Sequence, residues 1–371
     1  MTDLINAATS GAQDNAAAPV SAPGRPIAPW PGELVQLDNG VQVFVRRTPD
    51  VAGAEPAVFV HGLGGSATNW TDLMGLLFQP HGTWPGLAGE ALDLPGFGYS
   101  PPPADGDYSL DARVAAVIAL IEKRHSRPVH LVGNSLGGAI STRIAARRPD
   151  LVKTLTLVSP ALPDLRPRLL PMRLALVSTP RLGETLLRRL QQIPPERRTD
   201  MTVKDLYADP TRLHSDRRAE AVAEVIRRDG LEHAGDALLK SGRALVVEYT
   251  RHGPGSLWRE AARVTAPTLV IHGSHDRLVN PSTAARAARS FGYGRVVLLP
   301  RIGHVAMMER PDLVAAEMQE FIAAAARSEE ARSDVARAAA DAARSAASVV
   351  RGPKIRPTRT APGGQLGRAS S

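Results

Sequence analysis

From about residue 33 onward the chain alternates short apolar runs with longer stretches of helical periodicity. ELVQLDNGVQVFVRR (33–47) carries two β-rich runs flanking Asp38, Asn39 and Gly40, a strong turn signal that predicts a hairpin and an antiparallel start to a sheet. AVFVHG (57–62), EALDLPG (90–96), VHLVGNS (129–135) and KTLTLVS (153–159) follow. Each is short and nearly continuously apolar, as a strand covered on both faces must be. Between them, Leu110–Arg124 sets Val114, Val117, Ile118 and Ile121 at helical intervals, and residues 136–148 predict a helix stopped by Pro149.

Strand and helix in alternation argue for a mostly parallel sheet. After Ser159 the rhythm stops, and about a hundred residues, to roughly Arg263, are rich in Arg, Leu and Pro and read as helical. It resumes with TLVIHGSHD (268–276), RVVLLPRIGH (295–304) and an amphipathic helix over 311–326. An insertion between two parts of a sheet reads as a cap over the strand ends, where open α/β sheets bind ligands. The expected organisation is a flexible arm over 1–30, an α/β core over 31–160 and 263–326, a helical cap over 161–262 and a tail over 327–371. No repeat of 20–50 residues points to a solenoid.

Composition narrows the chemistry. The 371 residues are 43% hydrophobic, which suits a globular chain with a large core. Cysteine is absent, so disulfides, thiolate nucleophiles and Cys-based metal sites are excluded. This fits a reducing cytoplasm, the expected location, with peripheral membrane contact as the alternative. No apolar run reaches the ~18 residues of a membrane-spanning helix, and the first 30 residues lack the pattern of a secretory signal. Of the net charge of +8, most is carried by residues 327–371, which hold nine Lys/Arg and four Asp/Glu. That tail reads as an Ala-rich marginal helix followed by a Pro/Gly/Arg-rich disordered end. It is expected to solubilise, with weak contact to anionic surfaces at most and no specific nucleic-acid binding.

The candidate chemistry centres on Gly133-Asn134-Ser135-Leu136-Gly137-Gly138, placed after a strand and before a helix. This is G-x-S-x-G in the context it requires: a tight turn raises the serine, glycines allow close backbone approach, and the helix start favours developing negative charge. A serine nucleophile needs a base. His304 ends a strand run on a loop loosened by Gly303, a setting that His61, His81, His125, His130, His214, His233 and His252 lack. The base needs a carboxylate, and Asp276 follows another strand, giving the order Ser, Asp, His. Asp93 is assigned to turn structure, Asp164 is a weaker rival acid, and His272 and His275 are read as structural. The N–H of Leu136 and that of Leu63, in His61-Gly62-Leu63-Gly64-Gly65, are the candidate oxyanion donors. HGLGG alone could be a phosphate-cradling loop, but neither a P-loop nor a dinucleotide fingerprint after a strand is present.

Taken together, HGLGGSATNW, LDLPGFGYS, GNSLGG, GSHDRLV and the late IGH, in this order over about residues 33–326, resemble the α/β-hydrolase superfamily. The resemblance implies a mostly parallel eight-stranded sheet flanked by helices, with a helical lid after the sixth strand. It carries the roles of nucleophile, acid and base onto Ser135, Asp276 and His304, and those of oxyanion donors onto Leu63 and Leu136. Haloalkane dehalogenases and epoxide hydrolases place Asp where this chain has Ser135, which disfavours both activities. Esterases, lipases, perhydrolase-like enzymes and the carbon–carbon hydrolases of aromatic ring cleavage remain, some of the last with a similar GNS-x-GG elbow.

The expected function is hydrolysis of a carboxylic ester through an acyl-enzyme, with no cofactor and no metal. Carbon–carbon hydrolysis of a ring-cleavage product is the runner-up, and a non-catalytic binding module on the same fold is the third reading. The expected partner is a small, apolar substrate, a lean drawn from Leu169, Leu170, Met172, Leu174, Leu176 and Val177 in the cap. Packing of cap helices on the core explains most of those residues equally well.

Overall fold

The computed structural model describes residues 26–164 and 179–350, with side chains through residue 331. The apolar runs become strands β1 (Gly32–Gln36), β2 (Gln42–Arg47), β3 (Glu55–Val60), β4 (Leu87–Leu92), β5 (Val129–Asn134), β6 (Val152–Val158), β7 (Thr268–Gly273) and β8 (Gly294–Leu299). They form an eight-stranded sheet in the order β1-β2-β4-β3-β5-β6-β7-β8. β2 pairs antiparallel with both β1 and β4, and every other pairing is parallel. The expected hairpin is present, its connection tightened by Leu37 N–H donating to the Val41 carbonyl at 2.8 Å.

Burial explains the runs. β5 and β7 are buried at every position, whereas the edge strands β1 and β8 are largely open. Successive side chains of β3 enter opposite layers: Val58 and Val60 join Leu120, Leu131, Ile140 and Ile144 on one face. Ala57 and Phe59 join Trp70, Leu73, Leu269, Met307 and Phe321 on the other. With helices on both faces, a strand has no solvent side on which a polar residue would be favoured.

The helices are α1 (Thr71–Leu77), α2 (Leu110–Arg124) and α3 (Leu136–Arg147), then α4 (Leu182–Gln191), α5 (Pro195–Leu206), α6 (Ser215–Asp229), α7 (Ala234–Thr250) and α8 (Leu257–Ala261) between β6 and β7. After β7 come α9 (Thr283–Ser290), α10 (Ala306–Glu309) and α11 (Pro311–Val350). Ser109 caps α2 by accepting from the Ala112 N–H, which places its start where the periodicity put it. α11 continues without a break past residue 326 into the Ala-rich stretch read from the sequence as a marginal helix, where helix propensity is high. Its residues through Ile322 belong to the main unit, and residues 323–371 form a second. Leu169, Leu170, Met172, Leu174, Leu176 and Val177 lie outside the described residues, as do residues 1–25 of the expected arm and 351–371 of the tail.

Two features of the order position a site. The chain builds β4 on one side of β3 and β5 on the other, so neighbouring connections leave in opposite directions above the carboxyl ends of β3 and β5. Such a switch point opens a crevice in an α/β sheet. Arg143, wholly buried on α3, also binds Glu248 of α7 through Nη2 at 2.6 Å and Glu260 of α8 through Nε at 2.7 Å. Removing one partner of such a buried pair leaves an uncompensated charge in the interior, so the three helices are held to one arrangement.

Backbone approaches backbone very closely where α3 meets the end of β3. A Cβ on Gly137 would lie 2.1 Å from the Val60 carbonyl oxygen and 2.7 Å from that of His61. Gly137→Ala should therefore lower stability by about 3 kcal/mol in urea unfolding, the upper range for overpacking. Gly292→Ala, where an added Cβ meets nothing within 4 Å, should stay within about 0.5 kcal/mol of the parent.

Candidate active site

β5 ends in a turn whose central residue is not glycine. Ser135 has φ 53° and ψ −117°, a region that costs a side-chain-bearing residue on the order of 1–3 kcal/mol. Neighbouring chain holds it there: Ser135 N–H donates to the Val158 carbonyl at 3.1 Å, and the Ser135 carbonyl accepts from Ala161 at 2.9 Å and Ala139 at 3.1 Å. The flanking glycines serve contact, since a Cβ on Gly133 would meet the Gly137 carbonyl oxygen at 2.4 Å and one on Gly138 the Pro160 Cβ at 2.8 Å. Ser135 therefore stands at the start of α3, where the helix dipole favours negative charge.

Beyond β6, the loops after β7 and β8 bring the candidate acid and base together. His304 Nδ1 donates to Asp276 Oδ2 at 2.8 Å, and Asp276 Oδ1 accepts the N–H groups of Leu278 and Val279 at 2.8 and 2.9 Å. Burial opposes ionisation of Asp276, but the charge and hydrogen bond of His304 outweigh it, with help from His272 and the Val279 amide. The carboxyl is held below the ordinary carboxylate range. With Nδ1 committed to the carboxylate, Nε2 is the nitrogen left for proton transfer.

The His61–Gly65 segment leaves the end of β3 as a tight turn. Gly65 N–H bonds the Gly62 carbonyl at 3.1 Å, and Gly64 sits at φ +72°, a conformation glycine adopts without steric cost. Leu63 occupies the turn's first central position. A Cβ on Gly62 would lie 3.0 Å from both Asn134 Oδ1 and Ser135 Cβ, so this turn packs directly on the serine. Leu136 opens α3, and its N–H has no carbonyl one turn earlier in the helix to bind. The five residues singled out from the sequence thus sit at the ends of β3, β5, β7 and β8, along the carboxyl edge of the sheet with β6 between the two pairs.

Three further side chains build this region and were not singled out as site residues. Asn134 Nδ2 donates to the Val158 carbonyl at 2.9 Å and the His304 carbonyl at 3.4 Å, tying the serine turn to the His304 loop. His61, buried, accepts the Leu94 N–H at Nε2 (2.9 Å) and donates from Nδ1 to the Gly62 carbonyl (2.7 Å). Glu309, buried in α10, accepts the N–H groups of Gly303, Ala208 and Asp209 at 2.8, 3.1 and 3.2 Å and Arg212 Nη1 at 2.7 Å. His304 N–H donates to the Leu206 carbonyl at 2.7 Å, so the end of α5 braces the His304 loop directly. The variable position of G-x-S-x-G and the ERP following IGH were the available signals, but a single sequence does not reveal their partners.

The rival residues have other places. Asp93 Oδ1 accepts Ala67 N–H at 2.6 Å and Oδ2 accepts Tyr99 N–H at 2.8 Å, the turn role expected of it. Asp164 follows β6, where the adjoining Pro163 carbonyl accepts Trp258 Nε1 at 2.8 Å, whereas His304 bonds Asp276. A polar cavity of about 520 Å³, lined by Arg47, Glu90, Arg124, His125 and Arg127 among others, lies at the amino ends of β3, β4 and β5, opposite the serine turn. Ligands of open α/β sheets bind at the carboxyl ends. Among the described residues, no group of three or more His, Cys, Asp or Glu could hold a metal ion. No described helix is long and apolar enough to cross a membrane.

Burial pushes His61 and His272 down to about 4, so both are neutral in the fold at neutral pH. In the unfolded chain they take up protons near 6.5, so acidification from about 6.5 towards 4 favours unfolding, by on the order of 3 kcal/mol for each ring. Asp93, raised to about 6 by burial, works the other way between about 4 and 6, because the fold keeps a proton the unfolded chain has lost. Urea unfolding at a series of pH values isolates one ring. In His272→Gln, stability should fall less steeply between about pH 6 and 4.5, by close to one proton per molecule, and a slope equal to that of the parent would refute the assignment.

Comparison with known proteins identifies the family and the fold. Residues 57–317 match the alpha/beta hydrolase family. Lipase 1 of Psychrobacter immobilis is 27% identical over 77% of this chain and 82% of its own. The 2-hydroxymuconate semialdehyde hydrolase of Pseudomonas sp. strain CF600 is 27% identical over 74% of this chain and 89% of its own. Among solved structures, the 2-hydroxy-6-oxo-6-phenylhexa-2,4-dienoate hydrolase of Rhodococcus sp. strain RHA1 aligns with a TM-score of 0.62 at 20% identity, covering 78% of this chain and 99% of its own. A match over residues 57–317, well over half of the chain, settles the identity: the chain belongs to the alpha/beta hydrolase family.

Proposed function

We propose that the chain is a serine hydrolase that cleaves a carboxylic ester through an acyl-enzyme on Ser135. The observation that carries this reading is the buried His304–Asp276 hydrogen bond of 2.8 Å at the edge of the sheet where Ser135 is raised on its strained turn. Ser135 Oγ attacks the ester carbonyl carbon while His304 Nε2 takes its proton, and Asp276 stabilises the imidazolium. The N–H groups of Leu63 and Leu136 receive the tetrahedral oxyanion. Collapse expels the alcohol, which takes the proton from His304. Water then gives His304 a proton and attacks the acyl group, and the second collapse releases the acid and restores the serine hydroxyl.

The helices between β6 and β7 are assigned as the cap that selects the substrate, and an apolar acyl group is the proposed preference. The lipases among the relatives support that choice. Carbon–carbon hydrolysis is the second reading, favoured by the relatives named as hydrolases of ring-cleavage products. It would use the same serine, histidine and aspartate, with a vinylogous diketone in place of an ester. No step in either reading calls for a cofactor or metal.

Turnover of p-nitrophenyl esters of increasing acyl length, set beside a vinylogous diketone, separates the two readings. The ester reading expects kcat/KM for the esters to exceed that for the diketone and to rise with acyl length, and the reverse ranking selects the second reading. In both, Ser135→Ala should lower kcat by roughly 10⁴-fold or more and abolish labelling by a fluorophosphonate. Labelling that persists unchanged in the variant removes Ser135 from the role.

A further inference from the structure

The turn bearing Leu63 is held from two sides. From below, His61 Nδ1 fixes the Gly62 carbonyl, and Ala67 N–H, two residues beyond the turn, is anchored on Asp93. From above, Arg228 of α6 donates from Nη1 to the Gly64 carbonyl at 2.9 Å. That carbonyl belongs to the peptide closing the turn, whose N–H, on Gly65, makes the turn's own hydrogen bond to Gly62. The Gly64–Gly65 peptide is thus hydrogen-bonded at both ends, and the Gly62 carbonyl that its N–H binds lies in the same rigid peptide plane as the Leu63 N–H.

Among the arginines of α6, Arg217 and Arg227 also reach main-chain oxygens of the core, at Ile27 and Gly98, but Arg228 is the one that reaches the turn bearing Leu63. Arg218 forms a two-point contact with Asp200 inside the inserted segment, Arg217 does the same with Asp72, and Arg227 pairs with Glu224. The hydrogen bond of Arg228 goes to a main-chain oxygen of the core. Burial pushes its guanidinium below the usual arginine range, the mark of a charge taken out of water for a neutral acceptor. Leu238 of α7 completes the roof, 3.6 Å from where a Cβ on Gly64 would be. Arg227 secures the same helix to the core through the Gly98 carbonyl and by lying over the Tyr99 ring at 4.5 Å.

We propose that Arg228 is a positioning residue for the reaction: through the Gly64 carbonyl it holds the Leu63 N–H in line for the oxyanion, so that the site is complete only with α6 seated on the core. This rests on the serine-hydrolase reading above. It makes the inserted helices part of the catalytic apparatus as well as a cover. Arg228 touches no reacting atom, and its effect falls on the tetrahedral state, where charge develops on the oxygen, more than on ground-state binding.

The test is steady-state kinetics of the full chain on a short, fully dissolved p-nitrophenyl ester, with Arg228→Met, which keeps an unbranched stem but has no donor. kcat should fall by about 10- to 100-fold, the scale of a misplaced oxyanion donor, with KM within about threefold of the parent. Affinity for an alkyl boronic acid, which forms a tetrahedral adduct on the serine, should fall in step with kcat/KM, whereas affinity for the product carboxylate should not. Arg218→Met, on the same helix but paired within the inserted segment, should leave kcat unchanged. An unchanged kcat in Arg228→Met, or a loss confined to KM, overturns the proposal. If Arg228→Met does not fold, Arg228→Gln, whose amide is too short to reach Gly64, is held to the same ratios. Ser135→Ala is measured beside them: activity surviving in that variant sinks the serine-hydrolase reading itself, whereas a dead Ser135→Ala with a fully active Arg228→Met sinks the role of Arg228 alone.

Discussion

The close packing of the Ser135 turn against its neighbours is the constraint on which the rest of this molecule depends. A φ of 53° at a serine is costly in isolation, and it persists because β6, the end of β3 and the first turn of α3 leave the chain no other course. The glycines at 133, 137 and 138 exist for the same reason: each is a place where backbone lies so near that a methyl group would collide. Once that turn is set, α3 must begin where it does, and the buried Arg143 on α3 in turn takes its carboxylates from α7 and α8. The strain at one residue is thus met by the packing of the sheet and by part of the inserted helices.

A second regularity concerns how buried charge is met. Asp276, Asp93 and Glu309 are nearly inaccessible carboxylates, and each accepts at least two backbone N–H groups from loops at the carboxyl edge of the sheet. An unpaired buried carboxylate is costly, whereas one that gathers amides organises the loops that supply them. Asp276 orders its own loop and His304, Asp93 joins the segment after the glycine turn to the loop after β4, and Glu309 joins the His304 loop to the end of α5. Loops that would otherwise be free to move are fixed by single acidic side chains.

Much of the fold was legible in the sequence because it is written in local signals. The continuous apolar runs match buried strands, and Ser109 and Pro149 mark helix boundaries. G-x-S-x-G, HGLGG, and an acid and a histidine after successive strands were readable because each requires a fixed backbone setting. What was not legible is long-range pairing of polar atoms. Nothing local to Glu309 tells that its carboxylate gathers amides from residues 208 and 209, a hundred positions away. The same holds for Arg228 and Gly64, separated by 164 residues. The break expected near residue 326 between an amphipathic helix and an Ala-rich one is absent because nothing there stops the helix: its later turns rest on Ala-rich propensity where the amphipathic pattern ends.

The central claim is that Ser135 becomes covalently acylated during turnover. Mixing the protein with excess p-nitrophenyl ester, quenching in acid within milliseconds and mapping the peptides by mass spectrometry tests it most directly. The account predicts a burst of p-nitrophenolate approaching one per chain and an acyl group on the peptide that contains Ser135. Turnover with the acyl group on another residue would contradict it.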